Sequence, residues 1–515
     1  MSDISGAYVE QSALLTVGDL LLEQARHRPQ AIAIEDGVRQ WTFAQFNARV
    51  NRLANSLSQV GIERGDRIAV LSENRVEYLE VTFAAAKLGA IFCALNWRLA
   101  AAELEHCVRL ATPKLAFVSE RFSENFDALD SDVEEKIRFG DPYESLLADA
   151  CTNEPTVAVD PEDGLVIIYT SGTTGLPKGA LISHRAEIAR MQSSCIDFGL
   201  AQGDAFVAWP PMFHMASTDQ SISALCLGSK VVVVDGFDVE RLVDIVAAEK
   251  IWWLILMPGM IEPFAKALKR RNAKPHGITL IGAMADLVPR HQIAEITTLL
   301  QAPYANTFGS TETGLPPASA ALIPIGVTPN SLSKVQSAMC LCRLVDPHDN
   351  DVPDGHVGEM AVRGPTLFSG YWNAPKANEE DFRGGWFHMG DAFRRNADGT
   401  LDFVDRVKYL IKSGGENIYP AEIEQILLRE PRVDDAVVVR APDEKWGEVP
   451  VAFVAANDPS LTAAHLAGLC REALAGYKQP KQIRFIALDD LPRSTTGKIQ
   501  RHEVEKWLTA ESKAP

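Results

Sequence analysis

The sequence predicts an α/β protein: a large N-terminal domain of βα-type subdomains with a small β part, followed by a small α+β C-terminal domain. Three observations carry this. At 515 residues the chain is longer than one hydrophobic core ordinarily organises. Short β-branched runs alternate with stretches whose apolar residues recur at three and four, the pattern of repeated βα units. Beyond the segment Asp405-Arg406-Val407-Lys408, the last 108 residues carry helices and strands of their own. The boundary is therefore placed there, with residues 1–407 and 408–515 as the two domains.

The elements follow in order. Phe43 to Val60 repeats its apolar positions with helical period, Arg67 to Leu71 is a strand-like run after Gly65-Asp66, Tyr78 to Gly89 is an amphipathic helix ending on glycine, and Ala90 to Leu95 is a strand. Leu165 to Tyr169 has the length and β-branched content of a buried strand. A helix is expected from about Ser183-His184. Pro210 and Pro211 then break regular structure and leave His214 at the end of an apolar loop. Lys230 to Val234, Ile251 to Met257 and Ile278 to Ile281 are strands alternating with helices at Val239 to Lys250 and Met260 to Leu268. The Gly-, Pro- and Asp-rich stretch from Val345 to Trp372 gives the small β part. In the last domain, Ala421 to Leu428 and Leu466 to Leu474 are helices, and Asp435 to Arg440 and Val451 to Ala455 are strands.

Composition narrows the function. A 46% hydrophobic and 23% charged sequence is that of a globular chain, and a net charge of −18 argues against nucleic acid as the main partner. The N-terminus lacks a basic stretch followed by an apolar one, and the longest apolar run, Ile251 to Met257, falls far short of the ~20 residues of a membrane span. A cytoplasmic protein without a transmembrane segment is expected. The eight cysteines are scattered like free thiols, and Cys340 and Cys342 have no third ligand at metal-binding spacing.

The chemistry is concentrated in Tyr169 to Ala180, YTSGTTGLPKGA. Gly172, Gly175 and Gly179 allow backbone N–H groups to converge on an anion, Thr170, Ser171, Thr173 and Thr174 add hydroxyls, and Lys178 adds a positive charge. The arrangement suits a polyphosphate. It is not a Walker loop, since Lys178 stands between Pro177 and Gly179.

This string resembles the phosphate loop of the adenylate-forming superfamily, which contains acyl-CoA synthetases, peptide-synthetase adenylation domains and luciferases. Further strings resemble that family in its order, from about residue 40 to Arg501. About 35 residues after Lys178, the PMFH context of His214 resembles the motif that borders the acyl carboxylate and gates the CoA tunnel; a histidine satisfied by a backbone carbonyl is the alternative. Gly282-Ala283-Met284 resembles the turn whose backbone packs against adenine. In Asn306-Thr307-Phe308-Gly309-Ser310-Thr311-Glu312, the resemblance makes Glu312 a ligand of ATP-bound Mg²⁺, with Thr173 as second contact, and Thr311 a holder of the α-phosphate. Phe308, Gly309 and Ser310 join the nucleotide site. In WFHMGD, Asp391 is a ribose ligand by resemblance, or a helix cap. Arg406 also touches ribose by resemblance, and Lys408 is the hinge of a mobile C-terminal domain. Gly414 and Gly415 help form the CoA tunnel, and the loop of Trp446 holds CoA. Near the end, Lys498 in LPRSTTGKI resembles the catalytic lysine.

The resemblance implies an acid–thiol ligase that consumes ATP with Mg²⁺, forms acyl-AMP and pyrophosphate, and transfers the acyl group to coenzyme A. The partners are then small molecules; a homodimer is an assembly the sequence allows. Met212, Met215, Met260, Ala283, Phe308 and Leu315 are apolar candidates for the acid pocket and point to a fatty or aryl-substituted acid, or are plain core. Two rivals are a stand-alone adenylation enzyme serving a carrier protein and a nucleotide-binding protein without turnover. An adenylation module of a peptide synthetase would normally be followed by a carrier domain, whereas this chain ends about 14 residues after Arg501.

Overall fold

The computed structural model describes residues 12–170, 176–257, 259–414, 416–493 and 499–511. The β-branched runs of its first half become parallel strands. Glu135–Arg138, Leu115–Val118, Arg67–Leu71, Ile91–Ala94 and Gly164–Thr170 lie side by side in that order, and Lys178–Ser183 extends the sheet antiparallel to Gly164–Thr170. A second sheet runs Leu322–Ile323, Tyr304–Ala305, Gly277–Ile281, Lys250–Leu254, Ala205–Ala208, Val231–Val233, Ile32–Glu35 and Gln40–Thr42. Only its two edge pairs are antiparallel. Parallel neighbours need crossover connections, which the intervening helices supply, and strands covered on both faces read as unbroken apolar runs.

The helix Val76–Leu88 departs from expectation. Its sequence suggested an amphipathic element, yet every residue is buried. It packs on Ile91–Ala94 and on the helices Val17–His27 and Phe43–Gln59, so it has no solvent face. Its charged side chains are paired accordingly, Glu77 with Arg39 and Arg75, Glu80 with Arg49, and Lys87 with Glu154. An unpaired charge there would carry a large desolvation cost. Among the elements the sequence left unassigned, two bear on the site. The strand Lys178–Ser183 begins inside the glycine- and threonine-rich string, which reads as loop, and the helix Met215–Leu227, MASTDQSISALCL, is so deeply enclosed that small polar residues replace an apolar stripe.

Contacts divide the chain into two compact units, residues 1–342 with 362–387, and residues 343–361 with 388–515. Lys408, where the sequence placed the boundary, falls within the second unit, which also takes in most of the small β part. There, Leu401–Arg406 pairs antiparallel with Phe387–Arg395. A second sheet orders Glu416–Ile418, Ile411–Ser413, Gly447–Ala456 and Val433–Asp443, with Gln482–Phe485 parallel beside Gly447–Ala456. From Ala436 onward, its two long strands alternate between two cores. Val438, Ala452 and Val454 face the helices Pro420–Leu427 and Ala463–Ala473, whereas Val437, Val439, Val451 and Phe453 face Arg501–Glu511. Among the described residues, no helix is long and apolar enough to cross a membrane.

Candidate active site

In the first unit the expected nucleotide motifs converge at the ends of strands. Thr170 stands opposite Lys178 across the antiparallel pair. Ser171, Gly172, Thr173, Thr174 and Gly175, the centre of the expected phosphate loop, lie outside the described residues, as do Gly415 and Lys498. The Lys178 ammonium sits 4.4 Å from the ring centroid of Tyr371 and 3.9 Å from the Asp381 carboxylate. The Tyr371 hydroxyl donates to Glu312 Oε1 at 2.9 Å. One aromatic ring therefore joins the cation of the phosphate loop to the acid expected at Mg²⁺. The segment 369–372 reaches this place by running along the free edge of Lys178–Ser183: Ser369 N–H donates to Leu181, Leu181 N–H to Gly370 and Trp372 N–H to Gly179.

Thr311 and Glu312 sit between the short strands Gly309–Ser310 and Gly314–Pro317, half-buried. Their backbone is fixed from outside the motif. Phe368 N–H donates to the Glu312 carbonyl, and Arg190, 2% exposed, donates to the carbonyls of Thr311 and Thr366 while pairing with Asp219. Ser310 and Thr313 close the turn between them with mutual hydrogen bonds.

The turn Gly282-Ala283-Met284, expected against adenine, and the Phe308 segment come together because their strands are parallel neighbours, Ile281 opposite Tyr304, with both C-terminal ends emerging side by side. This is where ligands of open parallel sheets bind. Gly282 has φ +74°, and a Cβ there would lie 2.1 Å from the Tyr304 ring. Its carbonyl accepts from Trp253 Nε1, the Ala283 carbonyl from the Tyr304 hydroxyl, and Met284 N–H donates to Thr307 Oγ1. Phe308 is half-buried, with its N–H bonded to Ser319 Oγ. Beneath them the fully buried Lys334 is bonded to Asp286 and Asn306, and burial pushes its ammonium below the usual lysine range.

His214 is half-buried and caps the helix Met215–Leu227, its Nδ1 accepting from Ala216 N–H at 3.2 Å. The loop before it is held by Asn74, whose Nδ2 lies within hydrogen-bond reach of the carbonyls of Ala208, Trp209, Pro210 and Val234 and whose Oδ1 accepts from Met212 N–H. Phe213 meets Trp97 edge-on at 5.9 Å. Of the apolar candidates, Met212 is core at 1% exposure, whereas Met215, Met260, Ala283, Phe308 and Leu315 are half-buried.

In the second unit, Asp391 and Arg406 are direct cross-strand partners, Nε to Oδ1 2.7 Å, with Asp391 1% exposed. Asp391 lies within the strand Phe387–Arg395, so it caps no helix. Lys408 lies in the short turn Val407–Tyr409 that follows; its carbonyl accepts from Arg440 and its ammonium lies 4.9 Å from the Tyr409 ring. Gly414 N–H donates to the Trp446 carbonyl at 2.7 Å, and Trp446 is 41% exposed.

Four residues that hold these motifs were not singled out from the sequence: Asn74, Arg190, Lys334 and Tyr371. Only Tyr371 carried a local signal, since it follows Gly370, whose φ of +112° marks a turn. No group of three or more His, Cys, Asp or Glu able to hold a metal ion occurs among the described residues. A Mg²⁺ that arrives with phosphate oxygens needs fewer protein carboxylates, and the half-buried, oriented Glu312 suits that demand.

Residues 21–372 match the AMP-binding enzyme family and residues 422–498 the AMP-binding enzyme C-terminal domain. The chain is 35% identical to an indoleacetate–CoA ligase of Aromatoleum aromaticum, over 93% of this chain and 96% of the relative. It is 32% identical to a fatty acid–[acyl-carrier-protein] ligase of Streptomyces coeruleorubidus, over 95% of each. The solved structure of the o-succinylbenzoate CoA synthetase from Bacillus subtilis in complex with its acyl-adenylate intermediate superposes with a TM-score of 0.82 at 27% identity, covering 94% of this chain and 97% of that one. With both domain matches and these relatives in agreement, the chain belongs to the AMP-binding enzyme family, in its adenylate-forming acyl-CoA synthetase branch.

Proposed function

We propose that this protein is an ATP-dependent ligase that activates a fatty or aryl-substituted carboxylic acid through acyl-AMP and transfers it to coenzyme A. The observation that carries the reading is the single ring of Tyr371 between Lys178 and Glu312, which links a phosphate-binding cation to a metal-binding acid. In the first step a carboxylate oxygen of the acid attacks the α-phosphorus of ATP, the bond to the β-phosphate oxygen breaks, and pyrophosphate leaves. Lys178 and Lys498 offset the charge of two anions brought together, Thr311 holds the α-phosphate, and Thr170 to Gly175 wrap the polyphosphate. Gly282, Ala283, Met284, Phe308, Gly309 and Ser310 border the base, and Asp391 with Arg406 hold the ribose. Mg²⁺, held by Glu312 with Thr173 as second contact, would supply neutralisation of phosphate charge.

In the second step the CoA thiol attacks the acyl carbonyl past His214, the thiol proton is lost, and AMP leaves. The small domain turns about Lys408 between the steps, residues 1–407 and 408–515 acting as the two parts, and Gly414, Gly415 and Trp446 line the thiol's approach. The half-buried Met215, Met260, Ala283, Phe308 and Leu315 favour an apolar acid, and a cytoplasmic location fits the small soluble substrates. A carrier protein's thiol in place of CoA is the second reading, favoured by the relative that serves an acyl-carrier protein. A panel of acids with Mg·ATP tests the first step by pyrophosphate release, and CoA against a carrier protein bearing a free thiol tests the acceptor. No acid-dependent pyrophosphate release from any fatty or aryl acid would refute the function.

A further inference from the structure

We infer that Tyr371 is a positioning residue for adenylation, orienting the Glu312 carboxylate toward its metal through its hydroxyl and holding the Lys178 ammonium on its ring face. The inference rests on the function proposed above.

The ring is held independently of the groups it touches. Tyr371 N–H donates to Asn378 Oδ1 at 2.7 Å and its carbonyl accepts from Asn378 Nδ2 at 2.9 Å, so one side chain pins both backbone groups. Tyr371 bridges Ala180 across the strand edge, and Phe368 meets its ring edge-on at 4.9 Å. The residue is 8% exposed. A side chain so anchored sets the position of more mobile partners, and Glu312 and Lys178 have long, flexible stems.

The two contacts act differently. A phenol O–H donated to one carboxylate oxygen at 2.9 Å fixes the plane of the carboxylate and so the direction in which it offers lone pairs to a cation. The ring face attracts the Lys178 ammonium through its quadrupole, and Asp381 at 3.9 Å draws it from another direction, which limits the positions of the charge. Because both contacts use one ring, a shift of Tyr371 moves the metal ligand and the phosphate cation together. Neither sequence motif could achieve this alone, since Lys178 and Glu312 lie on different elements.

Substitution separates the contacts. Tyr371→Phe keeps the ring and removes the hydroxyl; Tyr371→Leu removes both. Binding of ATP is followed by calorimetry with and without Mg²⁺, alongside acid-dependent pyrophosphate release and thermal unfolding. Tyr371→Phe should raise the Mg²⁺ concentration for half-maximal binding and turnover roughly tenfold, the usual scale of a hydrogen bond to a charged group, and leave metal-free ATP binding unchanged. Tyr371→Leu should also weaken metal-free ATP binding several-fold. In a Glu312→Gln background, Tyr371→Phe should add nothing to the metal titration. A Mg²⁺ titration of folded Tyr371→Phe that superimposes on the unaltered chain overturns the inference alone. Absence of metal-dependent ATP binding and of pyrophosphate release in the unaltered chain overturns the ligase reading and the inference with it.

Discussion

Arg190 offers the sharpest quantitative test of how the site is held. Its guanidinium reaches the carbonyls of Thr311 at 2.9 Å and Thr366 at 3.1 Å, and Asp219 Oδ2 at 3.1 Å. Both members of the pair are buried, at 2% and 1% side-chain exposure. The Arg190 stem also fills the space beside Gly314, where a Cβ would approach it to 2.8 Å. Arg190→Met keeps most of that stem and removes three donated hydrogen bonds. Breaking a buried pair by deleting one partner costs about 3–5 kcal/mol. The low end is expected here, because burial already pushes the Asp219 carboxyl upward, so it can take a proton once the guanidinium is gone. Glu187 beside them follows the same logic: burial, then the charge of Asp219, holds it well above the usual carboxylate range. Asp219→Asn in the Arg190→Met background should therefore recover part of the loss, giving a coupling of at least about 1 kcal/mol in a double-mutant cycle by calorimetric unfolding. With Thr311 loosened, the KM for Mg·ATP in pyrophosphate release should rise. Additive losses, or an Arg190→Met protein with normal stability and KM, would refute the reasoning.

With Lys498 in the proposed role, its charge serves only the first step, so Lys498→Ala should abolish adenylation yet spare thioester formation from preformed acyl-AMP; equal losses in both half-reactions would refute the assignment. Lys408→Pro should leave pyrophosphate release nearly intact while CoA-dependent turnover collapses, since proline fixes φ and so traps one arrangement; normal turnover would sink the hinge. His184 is fully buried and accepts from Val17 N–H through Nδ1, and burial pulls its pKa down to about 4. The unfolded chain binds the proton near pH 6.5 and the folded chain only near 4, so this contribution is complete above pH 6.5 and is lost as pH falls through that window. It amounts to about 3 kcal/mol at most. The loss of thermal stability between pH 7 and 5 should be smaller in His184→Gln than in the unaltered chain, and parallel pH profiles would contradict it.

Periodicity made the fold legible where a strand or helix has one consistent environment. Arg67–Leu71, Gly277–Ile281 and Phe43–Gln59 follow from their own residues, the last marked also by the capping box of Thr42 and Gln45. It failed where tertiary structure encloses an element completely. Nothing in the spacing of Val76–Leu88 distinguishes a helix with a wet face from one whose Glu80 is met by Arg49 and Tyr143. The site shows the same division. Thr311 and Glu312, between two short strands, and Asp391 and Arg406, on paired strands, are candidates because each stands in a short local string. Asn74 and Arg190 act on carbonyls more than a hundred residues away, and such a contact leaves no mark in the local sequence.

One long-range relation can nonetheless be traced to local residues. Asn396-Ala397-Asp398-Gly399-Thr400 forms a tight turn, with Asn396 N–H bonded to the Thr400 carbonyl, Asp398 bonded to Thr400, and Gly399 at φ +84°. That turn sets Arg395 opposite Leu401, Arg394 opposite Asp402 and Phe393 opposite Phe403, and an irregularity between Ala392 and Phe393 then shifts the register by one and places Asp391 opposite Arg406. Side chains alternate along a strand, so Asp405 and Arg406 point to opposite faces. Arg406 meets Asp391 on one face; on the other, Asp405 accepts from Ala421 N–H at the start of the helix Pro420–Leu427 and pairs with Arg501, whose guanidinium lies 4.9 Å from the Tyr409 ring. The negative charge at the helix N-terminus is favourable in its own right. Carried on without that shift, the register of the turn would set the buried Asp391 opposite Asp405, an acid against an acid. The polar turn and the irregularity after it thus specify the register together, and the register makes a cross-strand pair of two residues fifteen positions apart.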